Sequence, residues 1–125
     1  MSTFLFILSV LALLMVYNYI RSKGNYEAIT VADVEQVKKE HPNVTFIDVR
    51  TPSEIAGGKI DKSLEINVQS SSFKQQLANL PKEQAYVVYC RSGARSALAC
   101  NLMAKQGFET LYNLKGGYMA WAAKQ

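Results

Sequence analysis

The sequence predicts an α/β domain with a mostly parallel central sheet flanked by helices, preceded by one N-terminal transmembrane helix. Three observations lead there. Residues 1–20 carry no charged side chain, although the chain has 14 Lys and Arg and 10 Asp and Glu. Beyond residue 25, helical and extended patterns alternate, the order that builds a parallel sheet covered by helices. The extended runs are apolar at successive residues, as in strands buried on both faces.

These patterns divide the 125 residues into an N-terminal helix at 1–20, a linker at 21–25 and a domain at 26–125. From Phe4 to Ile20 only Ser9 and Asn18 are clearly polar. A helix of that length, at about 1.5 Å per residue, measures about 26 Å, slightly short of a hydrocarbon core of about 30 Å. Ser2 and Thr3 add a little length. No polar stripe marks a core-facing helix, and Tyr17 and Tyr19 end the run where an interfacial aromatic belt would place them. A cleaved signal peptide is the alternative, but Met1-Ser2-Thr3 lacks the basic start such peptides carry. A retained single-pass anchor is preferred. Arg21 and Lys23 follow the run directly, so the positive-inside bias puts the C-terminal domain in the cytoplasm.

In the domain, Thr30 can cap a helix from Val31, with Asp33 in its first turn and Val31, Val34 and Val37 on one face. His41-Pro42 ends it. Val44 to Val49 reads as a buried strand. Thr51-Pro52-Ser53-Glu54 is a capping box with Pro at the first helical position, and Gly57-Gly58 stops that short helix. Ser63 to Val68 reads as a second strand. Ser71 to Leu80 reads as a helix, with Phe73, Leu77 and Leu80 inward and Pro81 as its stop. Ala85 to Tyr89 is a third buried strand, ended by Cys90. Ser96 to Gln106 is a helix with Gly107 just past its end. Thr110 to Leu114 is a fourth strand, and Gly116-Gly117 opens a last helix carrying Trp121.

The informative segment is Cys90-Arg91-Ser92-Gly93-Ala94-Arg95. In open parallel sheets, ligands bind beyond the carboxyl ends of the strands, and Cys90 is predicted at such an end. A helix start follows, with unpaired amides and a dipole that favours an anion. Arg91 and Arg95 add positive charge. All of these lower a thiol's pKa, and the thiolate is the reactive form. Gly93 permits a backbone geometry that a side chain would obstruct, and small Ser92 and Ala94 leave the mouth open. The same donors could hold a persulfide or an oxyanion. The competing reading is an inert Cys closing a core strand. Cys100, among Leu98, Ala99, Leu102 and Met103, reads as core, and a Cys90–Cys100 disulfide is disfavoured by distance. Asp48 and Arg50 end the first buried strand near the loop as structural support. Arg91 is favoured as the partner of Asp48 and Arg95 as the lining of an anion pocket. Glu54 reads as satisfying its own helix start. His41, in a surface-like turn, is a poor candidate for a general base.

Composition excludes several classes. With 2 Cys and 1 His, a zinc site would need carboxylate help, and a dense disulfide framework is out of reach. No metal and no cofactor are expected. The net charge of +4 is scattered, with no basic stripe for nucleic acid.

Three motifs then resemble one family. Asp48-Val49-Arg50 with Glu54 and Gly58, the run Cys90-Arg91-Ser92-Gly93-Ala94-Arg95-Ser96, and Gly116-Gly117-Tyr118-Met119-Ala120-Trp121 resemble the single-domain rhodaneses, the thiosulfate sulfurtransferases. The likeness covers roughly residues 26–124. It implies a rhodanese-like α/β fold and a persulfide on Cys90. The sulfur would come from thiosulfate or a similar donor, be stabilised by backbone amides of Arg91, Ser92, Gly93, Ala94 and Arg95, and pass to a thiol or cyanide, giving ping-pong kinetics. A protein could be the sulfur acceptor. Alternatives are a non-enzymatic persulfide carrier or redox module and, less favoured, a cysteine-based phosphatase or arsenate reductase. Those last enzymes share the fold class but place five residues between Cys and Arg, where only four separate Cys90 from Arg95. The chain also departs from the family's common Gly-His-Ile-Pro-Gly-Ala. It reads Gly58-Lys59-Ile60-Asp61-Lys62-Ser63, which puts the loop into the second strand in question.

Overall fold

The computed structural model describes residues 2–22 and 26–125, without the side chains of residues 20–22. Met1, residues 23–25 of the expected linker and the side chain of Arg21 therefore lie outside the described residues. Helix α1 (Ser2–Ser22) is long and apolar enough to cross a membrane, and none of Ser2–Tyr19 is buried within the protein.

Five parallel strands follow: β1 (Glu27–Ile29), β2 (Thr45–Asp48), β3 (Leu64–Glu65), β4 (Ala85–Tyr89) and β5 (Thr110–Leu114), in the spatial order β1-β5-β4-β2-β3. Between them run α2 (Val34–Glu40), α3 (Pro52–Ala56), α4 (Phe73–Leu77) and α5 (Ala94–Lys105), and α6 (Gly117–Ala123) closes the chain. β4 lies at the centre with every residue buried. Side chains alternate across a strand, so Ala85, Val87 and Tyr89 join Val34, Val37 and Phe46 in one core layer. Tyr86, Val88 and Cys90 join Leu77, Cys100 and Met103 in the other. Cys90 therefore faces the α5 side of the sheet, where the next helix begins.

Several boundaries differ from the sequence reading. β1 was not expected: it has three residues and only Ile29 is buried, too short a run to show a period. Thr30 opens a single 3₁₀ turn (Val31–Asp33) before α2, its amide and hydroxyl both donating to the Asp33 carboxylate at 2.9 Å. β3 spans two residues rather than Ser63 to Val68. The backbone nevertheless tracks β2 further, since the Ile66 amide donates to Asp48 O at 2.9 Å and the Val68 amide to Val49 O at 3.1 Å. The loop before β3 turns at Lys62, which takes a left-handed φ of 63° where the resemblance puts a glycine. α4 is shorter than Ser71–Leu80, and α5 starts at Ala94 rather than Ser96.

At the carboxyl end of β2, Asp48 (0% exposed) and Arg50 (4% exposed) form a buried ion pair. Arg50 Nε donates to both carboxylate oxygens at 2.9 and 3.1 Å, and Nη2 to Oδ2 at 2.7 Å. Nη2 also reaches Gly58 O at 2.6 Å, and the guanidinium lies 4.4 Å from the Tyr118 ring centroid. The pair thus ties β2 to the end of α3 and to α6. Removing one partner of a buried pair strands the other's charge. Asp48→Ala should therefore destabilise the full-length chain by about 3 kcal/mol, read from urea unfolding. A loss below about 1 kcal/mol, the scale of an exposed pair, would refute this role.

Candidate functional site

β4 delivers Cys90 to its carboxyl end, and five residues later the chain is in the first turn of α5. Gly93 makes this turn with φ 114°, a conformation that a side chain rarely tolerates. Its amide donates to Cys90 Sγ at 3.1 Å, and the Ser96 hydroxyl lies 3.4 Å from the same sulfur.

Cys90 is only 1% exposed, so its ionisation meets opposing effects. Burial pushes the thiol's pKa up and is the largest single influence. Against it act hydrogen bonds from the Ser96 hydroxyl and from the amides of Ser96, Gly93 and Ser92, and the net pKa lies below the ordinary thiol value. On the loop side the sulfur is covered by amide and hydroxyl donors rather than hydrocarbon. That distinguishes it from Cys100, a fully buried thiol whose pKa burial pushes up to about 12. Both thiols are free.

Two residues with no role expected from the sequence, Ser96 and Asn113, complete the site. Ser96 is fully buried, and its one hydroxyl proton faces three acceptors: Asn113 Oδ1 at 2.5 Å, Gly93 O at 3.1 Å and Cys90 Sγ at 3.4 Å. Asn113 on β5 also donates Nδ2 to Gly93 O at 3.2 Å. An Asn inside a buried strand was the available signal, since a buried amide needs partners.

The arginines are placed differently from expectation. Asp48 pairs with Arg50, not with Arg91, because the side chain two residues along the same strand end reaches the carboxylate first. Arg91 is exposed and makes no ion pair among the described residues. Arg95 binds Glu54 through two hydrogen bonds, Nη1 to Oε1 at 2.6 Å and Nη2 to Oε2 at 2.8 Å. Glu54 therefore does more than satisfy its own helix start, where Thr51 donates to the same Oε1 from its amide and its hydroxyl. The Arg95 pairing, with Thr51 assisting, holds the Glu54 carboxyl down at about 2. His41, at the end of α2, packs its ring 5.9 Å from that of Tyr112, away from the loop. A cavity of about 590 Å³ lined by Lys38, Phe46, Ile60, Lys62 and Trp121 includes none of residues 90–95.

The family model described as a rhodanese-like domain matches residues 30–124. A sulfurtransferase of Allochromatium vinosum is 41% identical over 80 residues, covering 64% of this chain and 73% of that protein. A putative sulfurtransferase of Bacillus subtilis is 35% identical over 95 residues, covering 76% and 88%. The crystal structure of a rhodanese-related protein from Thermoplasma volcanium superposes with a TM-score of 0.68 at 29% identity, covering 79% of this chain and 93% of that one.

Two outcomes follow from the site's electrostatics. Ser96→Ala removes a charge-assisted donor, so alkylation of Cys90 by iodoacetamide at pH 7 should slow about tenfold, its pH midpoint moving upward. An unmoved midpoint would take Ser96 out of the thiolate's support. The Glu54 carboxyl is held at about 2 against an ordinary 4.5. A depressed carboxyl pKa adds stability that is complete above the ordinary value and lost as pH falls through the folded one. The stability gap between wild type and Glu54→Gln should accordingly close as pH drops from about 4.5 towards 2. A gap constant over that window would contradict the pairing.

Proposed function

The chain belongs to the rhodanese-like sulfurtransferase family, and from that premise we propose that it moves sulfane sulfur from thiosulfate or a similar donor to a thiol or cyanide through a persulfide on Cys90. The observation that carries this reading is the sulfur's setting: Cys90 Sγ lies 3.1 Å from the Gly93 amide and 3.4 Å from the Ser96 hydroxyl, at the start of α5.

The Cys90 thiolate attacks the outer sulfur of thiosulfate. A new S–S bond forms, the old one breaks, and sulfite leaves with its electron pair. The terminal sulfur of the Cys90 persulfide carries the negative charge, opposite the loop amides from Arg91 to Arg95. An acceptor thiolate then attacks that sulfur, leaving with it as a persulfide and restoring the Cys90 thiolate. No proton moves in either displacement, so a general base is not required. The thiolate is prepared beforehand by the loop's donors.

Arg91 meets the donor's anionic end first, because its guanidinium is exposed and carries no carboxylate partner among the described residues. Arg95 serves the loop with its charge shared with Glu54. The four residues between Cys90 and Arg95 form a bowl sized for one sulfur rather than a tetrahedral oxyanion, which favours sulfur over phosphoryl transfer. We further propose that α1 is a single-pass membrane anchor joined through residues 21–25 to a cytoplasmic domain at 26–125. It supports this that Ser2–Tyr19 are apolar and unburied.

Intact-mass spectrometry after thiosulfate treatment tests the chemistry. The wild type and Cys100→Ser should each gain one sulfur atom, and Cys90→Ser none. Equal loading of both cysteine variants would refute the assignment. In steady-state turnover with cyanide, Arg91→Ala should raise KM for thiosulfate several-fold, about 1 kcal/mol of lost anion contact, with kcat nearly kept. Stoichiometric loading without turnover would make the chain a persulfide carrier instead of an enzyme.

A further inference from the structure

The bowl around Cys90 needs amides that point inward, and a flexible loop does not hold them there unaided. In a planar trans peptide, the C=O and N–H point in opposite directions. Fixing a carbonyl on the outside of the loop therefore fixes the next residue's amide on the inside. The structure holds the outer carbonyls from one place. The Tyr118 amide donates to Cys90 O at 2.8 Å, and the Met119 amide donates to Arg91 O at 3.1 Å. Their partner N–H groups in the same peptide planes belong to Arg91 and Ser92, and the Ser92 amide is among the groups that lower the pKa of the Cys90 thiol.

Close approach makes this possible. Gly117 has φ 53°, and a Cβ built on it would lie 2.4 Å from Cys90 O and 2.6 Å from both Arg91 C and Arg91 O. All three are backbone atoms of the bowl itself and cannot swing aside as a flexible side chain would. The first amides of a helix have no partner inside it, so α6 has them to give. Asn113 adds a third outer hold on Gly93 O.

Resting on the sulfurtransferase reading, we infer that Gly117 and the Tyr118 and Met119 amides form a positioning element, a carbonyl clamp that turns the amides of Arg91 and Ser92 into the bowl. The clamp touches neither donor nor acceptor. It acts through the loop's peptide planes.

Two variants of the full-length chain test it. Gly117→Ala inserts the obstructing Cβ. Met119→Pro deletes the one N–H that holds Arg91 O, at a first-turn position where proline is tolerated and with a side chain already 54% exposed. Met119→Ala is its control. The readout is the pH profile of iodoacetamide alkylation, which reports Cys90 because burial pushes the Cys100 thiol up to about 12 while the loop's donors push the Cys90 thiol down. Arg95 and Glu54, the charged pair beside the loop, are unchanged in all three.

Gly117→Ala and Met119→Pro should each move the midpoint upward and slow alkylation and sulfur loading at pH 7 about tenfold, the scale of one lost charge-assisted hydrogen bond. Met119→Ala should match the wild type. Thermal melts establish that the variants are folded, and if Gly117→Ala is not, Met119→Pro decides. A wild-type midpoint in a folded Gly117→Ala or Met119→Pro, or a Met119→Ala shift equal to that of Met119→Pro, would overturn the clamp. Failure of the wild type itself to load sulfur would refute the sulfurtransferase reading and leave the alkylation profiles to judge the clamp.

Discussion

The Cys90 thiol, with a pKa below the ordinary value, sits where water hardly reaches it. Burial raises the cost of its charge more than any other single influence, and the fold offsets this with several donors aimed at one atom. Gly93 and Ser96 are placed by the turn into α5, and the Ser92 amide by a peptide plane anchored from α6. None of these donors is a charged side chain. The arrangement is preorganised dipole rather than counter-ion, and in a low-dielectric site such dipoles act strongly without needing to reorient.

Charged groups do a different task here. Two arginine–carboxylate pairs brace the surroundings of the bowl. Asp48–Arg50 ties the end of β2 to Gly58 and Tyr118, while Glu54–Arg95 ties α3 to the first turn of α5. Buried pairs add little net stability against a well-packed apolar core, but once present they penalise any arrangement that separates them. Asp48–Arg50 sits where Gly58 and α6 approach β2, and the part-exposed Glu54–Arg95 pair sits where α3 meets the loop's exit into α5.

The fold was largely legible because β2, β4 and β5 are short apolar runs between strong stops, and their helices carry caps or terminal glycines. The losses lie where geometry depends on distant partners. β1 pairs with β5, more than eighty residues away in sequence, and three residues cannot announce that. At the site, Cys90 and Gly93 were visible in the loop itself. The pairing of Arg95 with Glu54 was not, because forty-one positions separate them and only the sheet order brings α3 beside α5. Asn113 left a trace, an amide in an apolar strand, that a periodicity reading passes over. Gly117 stood in a quoted motif, yet its reason, the nearness of the Cys90 and Arg91 carbonyls, exists only in three dimensions.

The second thiol sets a limit on the chemistry. Many thiol-dependent proteins unload an oxidised sulfur onto a neighbouring cysteine of their own, closing a disulfide. Cys100 lies under the sheet-facing side of α5 with no exposure, and it keeps its proton far into alkali. It cannot act as a resolving group. On the proposed persulfide chemistry, cargo loaded at Cys90 would have no internal exit, and each delivery would depend on a visitor from outside the chain.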